Sequence, residues 1–250
     1  FELQNDFSVA ILGLSNFFRE DAAVTAQTMQ IGNKPCHIYG ETHAEYLLFQ
    51  MTGEHELQSM ESEVAAIAQS AHRFLFAAIP VESWNDALSP WEAPAVWGKQ
   101  GFGGNAGDTL RFLTEQVIPT LKRQFPLPEN VKIILGGYSL AGLFALWAST
   151  QTNLFYGIAA ASPSVWFPGW MEHEQQHPIQ AQRVYLSLGD KEEHTKNAVM
   201  AVVSDNIRTL HSRLIERGAD CTLEWNSGGH FKDADLRTAK AFRWTMEEHT

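Results

Sequence analysis

The chain has 250 residues, of which 44% are hydrophobic and 11% aromatic, enough to bury a large core. We therefore expect one domain over residues 1–250. Its 18 Lys and Arg residues against 29 Asp and Glu residues give a net charge of −11. This sign repels phosphate backbones and anionic membrane surfaces, so we expect neither nucleic acid nor a membrane as a partner.

The cysteine content and the N-terminus narrow the class of protein further. Cys36 and Cys221 lie far apart, without further ligands at a metal-binding spacing, so we expect no disulfide framework, no metal and no cofactor. No apolar run approaches the ~20 residues of a membrane span. The opening FELQNDF lacks the basic region and cleavage site of a signal peptide, so we expect a soluble, cytoplasmic protein. The sequence begins without an initiating Met, so this expectation covers the printed residues alone.

The predicted elements change in character along the chain. Within the first 40 residues, SVAIL and CHIYG stand between turn residues, which predicts antiparallel strands at one edge of a sheet. Further strands are predicted over 46–51, 74–79, 131–135, 157–161, 184–188 and 221–226, and helices over 61–72, 107–124, 140–151, 196–217 and 233–247. This alternation is typical of an α/β fold with a mostly parallel sheet and helices on both faces.

The longest irregular segment, residues 80–105, contains three Trp, three Pro and four Gly. A loop of this length inside a compact domain is usually functional, and its aromatic content argues against disorder, so we expect it to form part of a pocket. Five aromatic residues of this loop and of a later turn are candidate substrate-binding residues, with core packing as the alternative for each: Trp84, Trp91, Trp97, Phe102 and Trp166.

The segment ILGGYSLAGLF joins a predicted strand to a predicted helix and has Ser139 in the middle of a turn. In a sharp strand–turn–helix connection, the strained backbone requires small residues two positions before and after the serine. Gly137 and Ala141 occupy these positions; the usual motif has Gly at both, and Gly142 relieves the crowding that Ala141 adds. This context predicts that Ser139 is a nucleophile.

A serine hydroxyl needs a general base to take its proton and a carboxylate to orient that base, in the chain order Ser, acid, His for this kind of fold. Among ten histidines, His230 follows the last predicted strand in WNSGGHFKDA, where Gly228 and Gly229 let the loop swing over the strand ends. The acid is expected after the penultimate strand, where SLGDKEEH offers three carboxylates: Asp190, Glu192 and Glu193.

The reaction also needs two amide donors for the oxyanion, one directly after the nucleophile and one after the third strand of the sheet. Leu140 supplies the first. The second is expected from Gly53 or Glu54, which follow the predicted strand 46–51.

Four sequence blocks carry a family resemblance: GGYSLAGLFALW, ASPSVWF, SLGDKEEHTKN and GGHF. In this order they resemble the bacterial Putative esterase family of the α/β-hydrolase superfamily, which is similar to esterase D, the enterochelin esterases and the mycolyltransferases, over about residues 40–245. The resemblance implies Ser139 as nucleophile, His230 as general base and an acid between Asp190 and Glu193. Related hydrolases place the acid three residues after the strand-terminal glycine, which favours Glu192. SPSVW is implied to lie at the pocket rim.

The sequence thus predicts a serine esterase that cleaves a small-molecule carboxylic ester or thioester through an acyl-enzyme intermediate. The alternatives are an acyltransferase with the same triad and a non-catalytic binding module on a hydrolase scaffold. HEQQH at 173–177 resembles a zinc motif in its letters, but its polar, loop-like surroundings argue against a metal hydrolase. The oligomeric state and the individual ester are not predicted.

Overall fold

The computed structural model of the protein describes residues 25–70, 72–96 and 98–247. The strands are β1 Thr25–Ile31, β2 Lys34–Gly40, β3 Tyr46–Thr52, β4 Phe74–Pro80, β5 Glu92–Ala93, β6 Phe102–Gly103, β7 Lys132–Tyr138, β8 Gly157–Ala161, β9 Arg183–Gly189 and β10 Asp220–Asn226. The α-helices are α1 Glu54–Gln58, α2 Met60–Ile67, α3 Trp84–Leu88, α4 Ala106–Phe112, α5 Ile118–Gln124, α6 Leu140–Gln151, α7 Trp170–Gln176, α8 Ala198–Ala201, α9 Val203–Glu216 and α10 Ala234–Met246.

Eight of these strands form one sheet in the order β1-β2-β4-β3-β7-β8-β9-β10. The pairs β1–β2 and β2–β4 are antiparallel and the other pairs are parallel. Every residue of β3 is buried, as expected for a parallel strand covered on both faces. The predicted fold class, a mostly parallel α/β sheet with antiparallel strands at its N-terminal edge, is therefore confirmed. CHIYG lies in β2, whereas SVAIL lies outside the described residues.

Helices cover the sheet on both faces. One core cluster packs α4, α6 and α9 against one face, and a second packs α2 and α10 against the other. The parallel strands β7, β8, β9 and β10 are neighbours in this order, so their carboxyl ends lie together along one side of the sheet. Ligands bind at this side in open α/β folds. No helix within the described ranges is long and apolar enough to cross a membrane.

Several predicted helices have different bounds in the structure. The predicted helix 107–124 contains a π-helical turn, Leu113–Val117, between α4 and α5. Pro119 follows this turn, and it has no N–H for the carbonyl of Glu115, so the helix widens there. The predicted helix 61–72 ends at Ile67, and the hydroxyl of Ser70 accepts a hydrogen bond from the amide of His72 at 3.2 Å. The predicted helix 196–217 is divided into α8 and α9.

The two segments predicted as loops also contain regular structure. Residues 80–105 include α3 and a small antiparallel hairpin of β5 and β6. HEQQH lies mostly in α7, contrary to the loop-like prediction, because Glu174 is fully buried and forms ion pairs with two arginines. Arg213 lies in α9, and Arg217 directly follows that helix. Glu174 is the glutamate of the zinc-like motif, and its carboxylate is engaged by these ion pairs. The described residues include no group of three or more His, Cys, Asp or Glu arranged to hold a metal ion.

Candidate active site

Ser139 stands in a strained turn between β7 and α6. Its backbone has φ 56° and ψ −120°, a left-handed conformation that residues with a side chain rarely adopt. A Cβ placed on Gly137 would lie 2.6 Å from the Cβ of Ala141, so the turn closes only with glycine at that position. Gly142 is similarly tight, since its added Cβ would lie 3.0 Å from the carbonyl oxygen of Gly137. The methyl of Ala141 is thus accommodated by the missing side chain of Gly137, whereas the space at Gly142 faces the Gly137 carbonyl and Pro163.

The hydroxyl of Ser139 lies within hydrogen-bond distance of an imidazole, and the imidazole contacts a carboxylate. Ser139 Oγ is 2.9 Å from His230 Nε2, and His230 Nδ1 is 2.7 Å from Glu192 Oε2. The imidazole is a quarter exposed and the Glu192 side chain is almost fully buried. An acid, a base and a hydroxyl in this sequence of contacts can pass a proton from the hydroxyl to the imidazole.

The three candidate carboxylates after β9 have different surroundings. Glu192 contacts His230 through Oε2, while its Oε1 accepts hydrogen bonds from the amide of Gly189 at 2.7 Å and the hydroxyl of Ser162 at 2.8 Å. Asp190 Oδ1 accepts a hydrogen bond from the amide of Gly228 at 2.8 Å, which ties the acid loop to the histidine loop. Glu193 lies 3.8 Å from the exposed ring of His194. Glu192 is therefore the carboxylate that the fold turns towards the imidazole.

The candidate oxyanion donors lie at the starts of two helices. Leu140 is the first residue of α6 and Glu54 is the first residue of α1, and the first amides of a helix have no partner within it. The amide of Gly53 donates instead to Glu56 Oε2 at 3.0 Å. Leu140 and Glu54 therefore remain candidate donors, whereas the Gly53 amide is already engaged.

Of the candidate substrate-binding aromatics, Trp84 lies next to Gly53, the residue before α1. A Cβ added to Gly53 would be 3.3 Å from the Trp84 ring, so the indole packs directly against the backbone there. Trp97 lies outside the described residues.

The other three candidate aromatics belong to one packed cluster around Phe167. Trp91 and Phe102 have ring centroids 5.7 and 5.1 Å from Phe167, and the Trp91 indole N–H donates to the Pro168 carbonyl at 2.9 Å. Phe102 and Trp166 are 4% and 6% exposed and lie 6.3 Å apart. Because Phe102 and Trp166 are almost fully buried, the role that the structure shows for them is packing. Residues 80–105 also line a cavity of about 500 Å³ that includes Asp86, Glu92 and Phe102 but no triad residue.

Four further residues at the site were not named individually from the sequence, although one of them, Ser164, lies in SPSVW, which the resemblance placed at the pocket rim. Ser164 Oγ is 3.3 Å from Ser139 Oγ, and Phe231 is 95% exposed with its ring 5.3 Å from the imidazole of His230. Both stand inside blocks that carry the family resemblance, ASPSVWF and GGHF, so their position in those blocks was an available signal. Tyr138 contacts the carbonyl of His230, and Arg237 contacts Glu192. In the sequence, Tyr138 cannot be distinguished from a packed core residue, nor Arg237 from an exposed residue of a helix.

Comparison with known proteins identifies the family. Residues 61–232 match the family described as "Putative esterase". The uncharacterized protein YbbA of Bacillus subtilis (strain 168) is 25% identical over 172 residues, which cover 66% of this chain and 67% of YbbA.

Solved structures with the same fold are more distant in sequence. An IroE-like serine hydrolase from Shewanella oneidensis has a TM-score of 0.74 at 15% identity, over 88% of this chain and 79% of that one. The siderophore hydrolase EstB from Aspergillus nidulans has a TM-score of 0.69 at 17% identity, over 96% of this chain and 98% of that one. Since the family match spans more than half of the sequence, the chain belongs to the Putative esterase family and is a carboxylic ester hydrolase of the α/β-hydrolase type.

Proposed function

We propose that the protein is a serine esterase in which Ser139 is the nucleophile, His230 the general base and Glu192 the acid that orients the base. The observation that carries this proposal is the unbroken series of contacts from Glu192 Oε2 to His230 Nδ1 at 2.7 Å and from His230 Nε2 to Ser139 Oγ at 2.9 Å. The strained backbone of Ser139 supports it, because such strain persists mainly where function requires it.

The reaction proceeds through two tetrahedral intermediates. Ser139 Oγ attacks the ester carbonyl while His230 Nε2 takes the hydroxyl proton, and the amides of Leu140 and Glu54 bind the resulting oxyanion. Collapse of the intermediate breaks the bond to the alcohol, which leaves with the proton from His230. Water then attacks the acyl-enzyme with His230 again as the base, and this releases the acid and restores Ser139.

A fluorophosphonate probe tests the nucleophile. We expect the folded wild-type protein to gain one phosphonyl group on Ser139, since only an activated serine attacks such a probe at an appreciable rate. Mass spectrometry of the digested protein locates the label. Ser139→Ala should remain unlabelled, whereas Ser164→Ala should still be labelled although Ser164 lies 3.3 Å from Ser139.

Two results would contradict the proposed nucleophile. A folded wild-type protein that stays unlabelled would favour the non-catalytic binding module. A label on Ser164 would show that Ser164, and not Ser139, is the nucleophile. Product analysis with an added acceptor alcohol separates hydrolysis from acyl transfer, because a transferase would give the new ester in preference to the free acid.

The exposed ring of Phe231 supports a proposal about the alcohol part of the substrate. His230 gives its proton to the departing alcohol, and the Phe231 ring is 5.3 Å from that imidazole. An apolar ring that is 95% exposed beside the base is available to stack on an aromatic or apolar alcohol group. We therefore propose esters of such alcohols as the substrate class.

Replacement of Phe231 by Ala should lower kcat/KM about 3- to 10-fold for aryl esters, the loss expected for one aromatic contact. Methyl and ethyl esters of the same acid should change less than about 2-fold, since they leave the ring without a partner. Ile215→Ala is the matched control, because Ile215 is also an exposed apolar residue but lies on α9. Equal losses on all esters would contradict the assignment of Phe231 to the alcohol side.

The acyl side is probed with p-nitrophenyl esters of increasing acyl length, with Ser139→Ala as the background control. A siderophore ester belongs in the same panel, because EstB, which shares the fold, is named as a siderophore hydrolase. A rate that is flat with acyl length would count against an apolar acyl pocket.

A further inference from the structure

A buried guanidinium lies directly behind the proposed triad. Arg237, in the first turns of α10, is 4% exposed. Its Nη1 donates to Glu192 Oε1 at 3.4 Å and to the Tyr138 hydroxyl at 3.2 Å, and its Nη2 donates to the carbonyl of Ser227 at 3.2 Å. One side chain therefore contacts the proposed acid, the residue before the proposed nucleophile, and the start of the histidine loop.

The Tyr138 hydroxyl continues this connection to the base. It donates to the backbone carbonyl of His230 at 2.6 Å, and the phenol ring lies 5.1 Å from the imidazole. Burial raises the pKa of Tyr138, so the phenol keeps its proton at neutral pH and remains a donor to that carbonyl. Arg237 therefore reaches the backbone of His230 through one intervening hydroxyl.

The two oxygens of Glu192 have separate partners. Oε1 accepts from the amide of Gly189, from the hydroxyl of Ser162 and from Arg237, whereas Oε2 faces His230 Nδ1. Donors from three different parts of the fold thus fix one oxygen and leave the other to the imidazole. A carboxylate held in this way cannot rotate away from the base without losing several hydrogen bonds in a buried site.

We propose that Arg237 is a positioning residue for the ester hydrolysis. It holds Glu192 directly, and the His230 loop through Tyr138, in the positions that align them with Ser139. This inference rests on the proposed triad and adds a fourth side chain to it. Arg237 does not contact the reacting atoms; it acts through the acid and the base. Small displacements of such groups have large kinetic effects, because a shift of about 1 Å in a catalytic group can cost about 100-fold in rate.

A second buried arginine provides a matched control. Arg183 is also 4% exposed, pairs with Asp220 at 3.1 Å and donates to the carbonyl of Trp244 in α10, far along the helix from Arg237. Loss of either guanidinium removes a buried charge that joins α10 to the sheet, since Arg237 of α10 contacts Tyr138 of β7 and Arg183 of β9 contacts Trp244 of α10. Only loss of Arg237 removes contacts with the proposed acid and with Tyr138.

The test compares Arg237→Met, Arg237→Lys, Tyr138→Phe and Arg183→Met in a p-nitrophenyl ester assay, with active sites counted by the end point of fluorophosphonate labelling. We expect Arg237→Met to lower kcat per labelled site by about 10- to 100-fold with KM changed less than about 3-fold. Arg237→Lys should recover part of this loss, since it retains the charge but reaches fewer partners. Tyr138→Phe should lose about 2- to 10-fold, the effect of one hydrogen bond.

Arg183→Met should keep the wild-type kcat per labelled site even where its melting temperature falls. The proposal is overturned if Arg237→Met and Arg183→Met both lose activity only in proportion to the sites lost. If Arg237→Met does not fold, kcat per labelled site of Arg237→Lys and of Tyr138→Phe is compared with that of Arg183→Met instead. A wild-type kcat in both variants would overturn the proposal. Failure of the triad itself is a separate result, because the wild-type protein would then not be labelled.

Discussion

Replacing Glu192 with Gln should lower kcat by about 10³- to 10⁴-fold while the protein stays folded. The carboxylate accepts the Nδ1–H of His230, so the lone pair of Nε2 is free to take the proton of Ser139. An amide in the same place can donate to Nδ1, which moves the ring proton to Nε2 and removes the acceptor that Ser139 needs. The measurement is steady-state kcat on a p-nitrophenyl ester, normalised to the melting curve of each variant.

The neighbouring carboxylates provide the controls for this prediction. Asp190→Asn should cost less than about 10-fold, because Asp190 shapes the loop through the amide of Gly228 and does not touch the imidazole. Glu193→Gln should remain close to wild type, since its side chain lies at the surface beside His194. A loss for Asp190→Asn that equals or exceeds the loss for Glu192→Gln would refute Glu192 as the acid.

The fold class was predictable because the buried parallel strands are continuous apolar runs. The predicted strands 46–51 and 131–135 correspond to β3 and β7, and their order along the chain requires crossover helices. The helix bounds were less predictable, because they depend on single residues and on the contacts at each helix end. Pro119 widens one helix into a π-helical turn, and this depends on how the chain accommodates a missing N–H rather than on the apolar period.

The proposed triad illustrates what a sequence can and cannot specify. The serine turn is a local pattern, and His230 is selected from ten histidines by chain order together with its position in a glycine-flanked loop after the last predicted strand. The choice among three carboxylates depends on the turn after Gly189, which brings Glu192 inward through the Gly189 amide. The role of Arg237 could not be predicted from the sequence, because a cation in an amphipathic helix usually lies on its solvent-exposed face. Its burial becomes visible only once the packing of α10 is known.

A buried carboxyl group in α2 leads to the second large effect, this time on stability. Glu63 is 2% exposed, and its Oε2 accepts a hydrogen bond from Gln50 Nε2 at 3.3 Å. Within the described residues, Glu63 Oε1 and Gln50 Oε1 are both buried without a hydrogen-bond partner. When Glu63 is protonated, its hydroxyl can donate to a neighbouring acceptor. When it is ionised, its carboxylate can only accept hydrogen bonds, as the Gln50 carbonyl oxygen does.

The charge state of Glu63 follows from the same surroundings. Burial raises the pKa of Glu63 from 4.5 to about 8, opposed by the Gln50 hydrogen bond and reinforced by the charges of Asp235 and Glu56. The folded protein therefore binds one more proton than the unfolded chain between these two pH values. Its unfolding free energy falls by about 1.4 kcal/mol for each pH unit as the pH rises through that window, and the loss is complete above pH 8.

Glu63→Gln should therefore stabilise the protein at alkaline pH and change little at pH 5, since an amide can both donate to and accept from Gln50 without carrying a charge. Thermal unfolding measured from pH 5 to pH 9 should show a difference in melting temperature, variant minus wild type, that grows with pH by on the order of 10 °C. Glu61→Gln is the control, because Glu61 lies exposed in the same helix and should give a small, pH-independent difference. A Glu63→Gln difference that stays constant with pH would mean that the buried carboxyl does not change its protonation on unfolding.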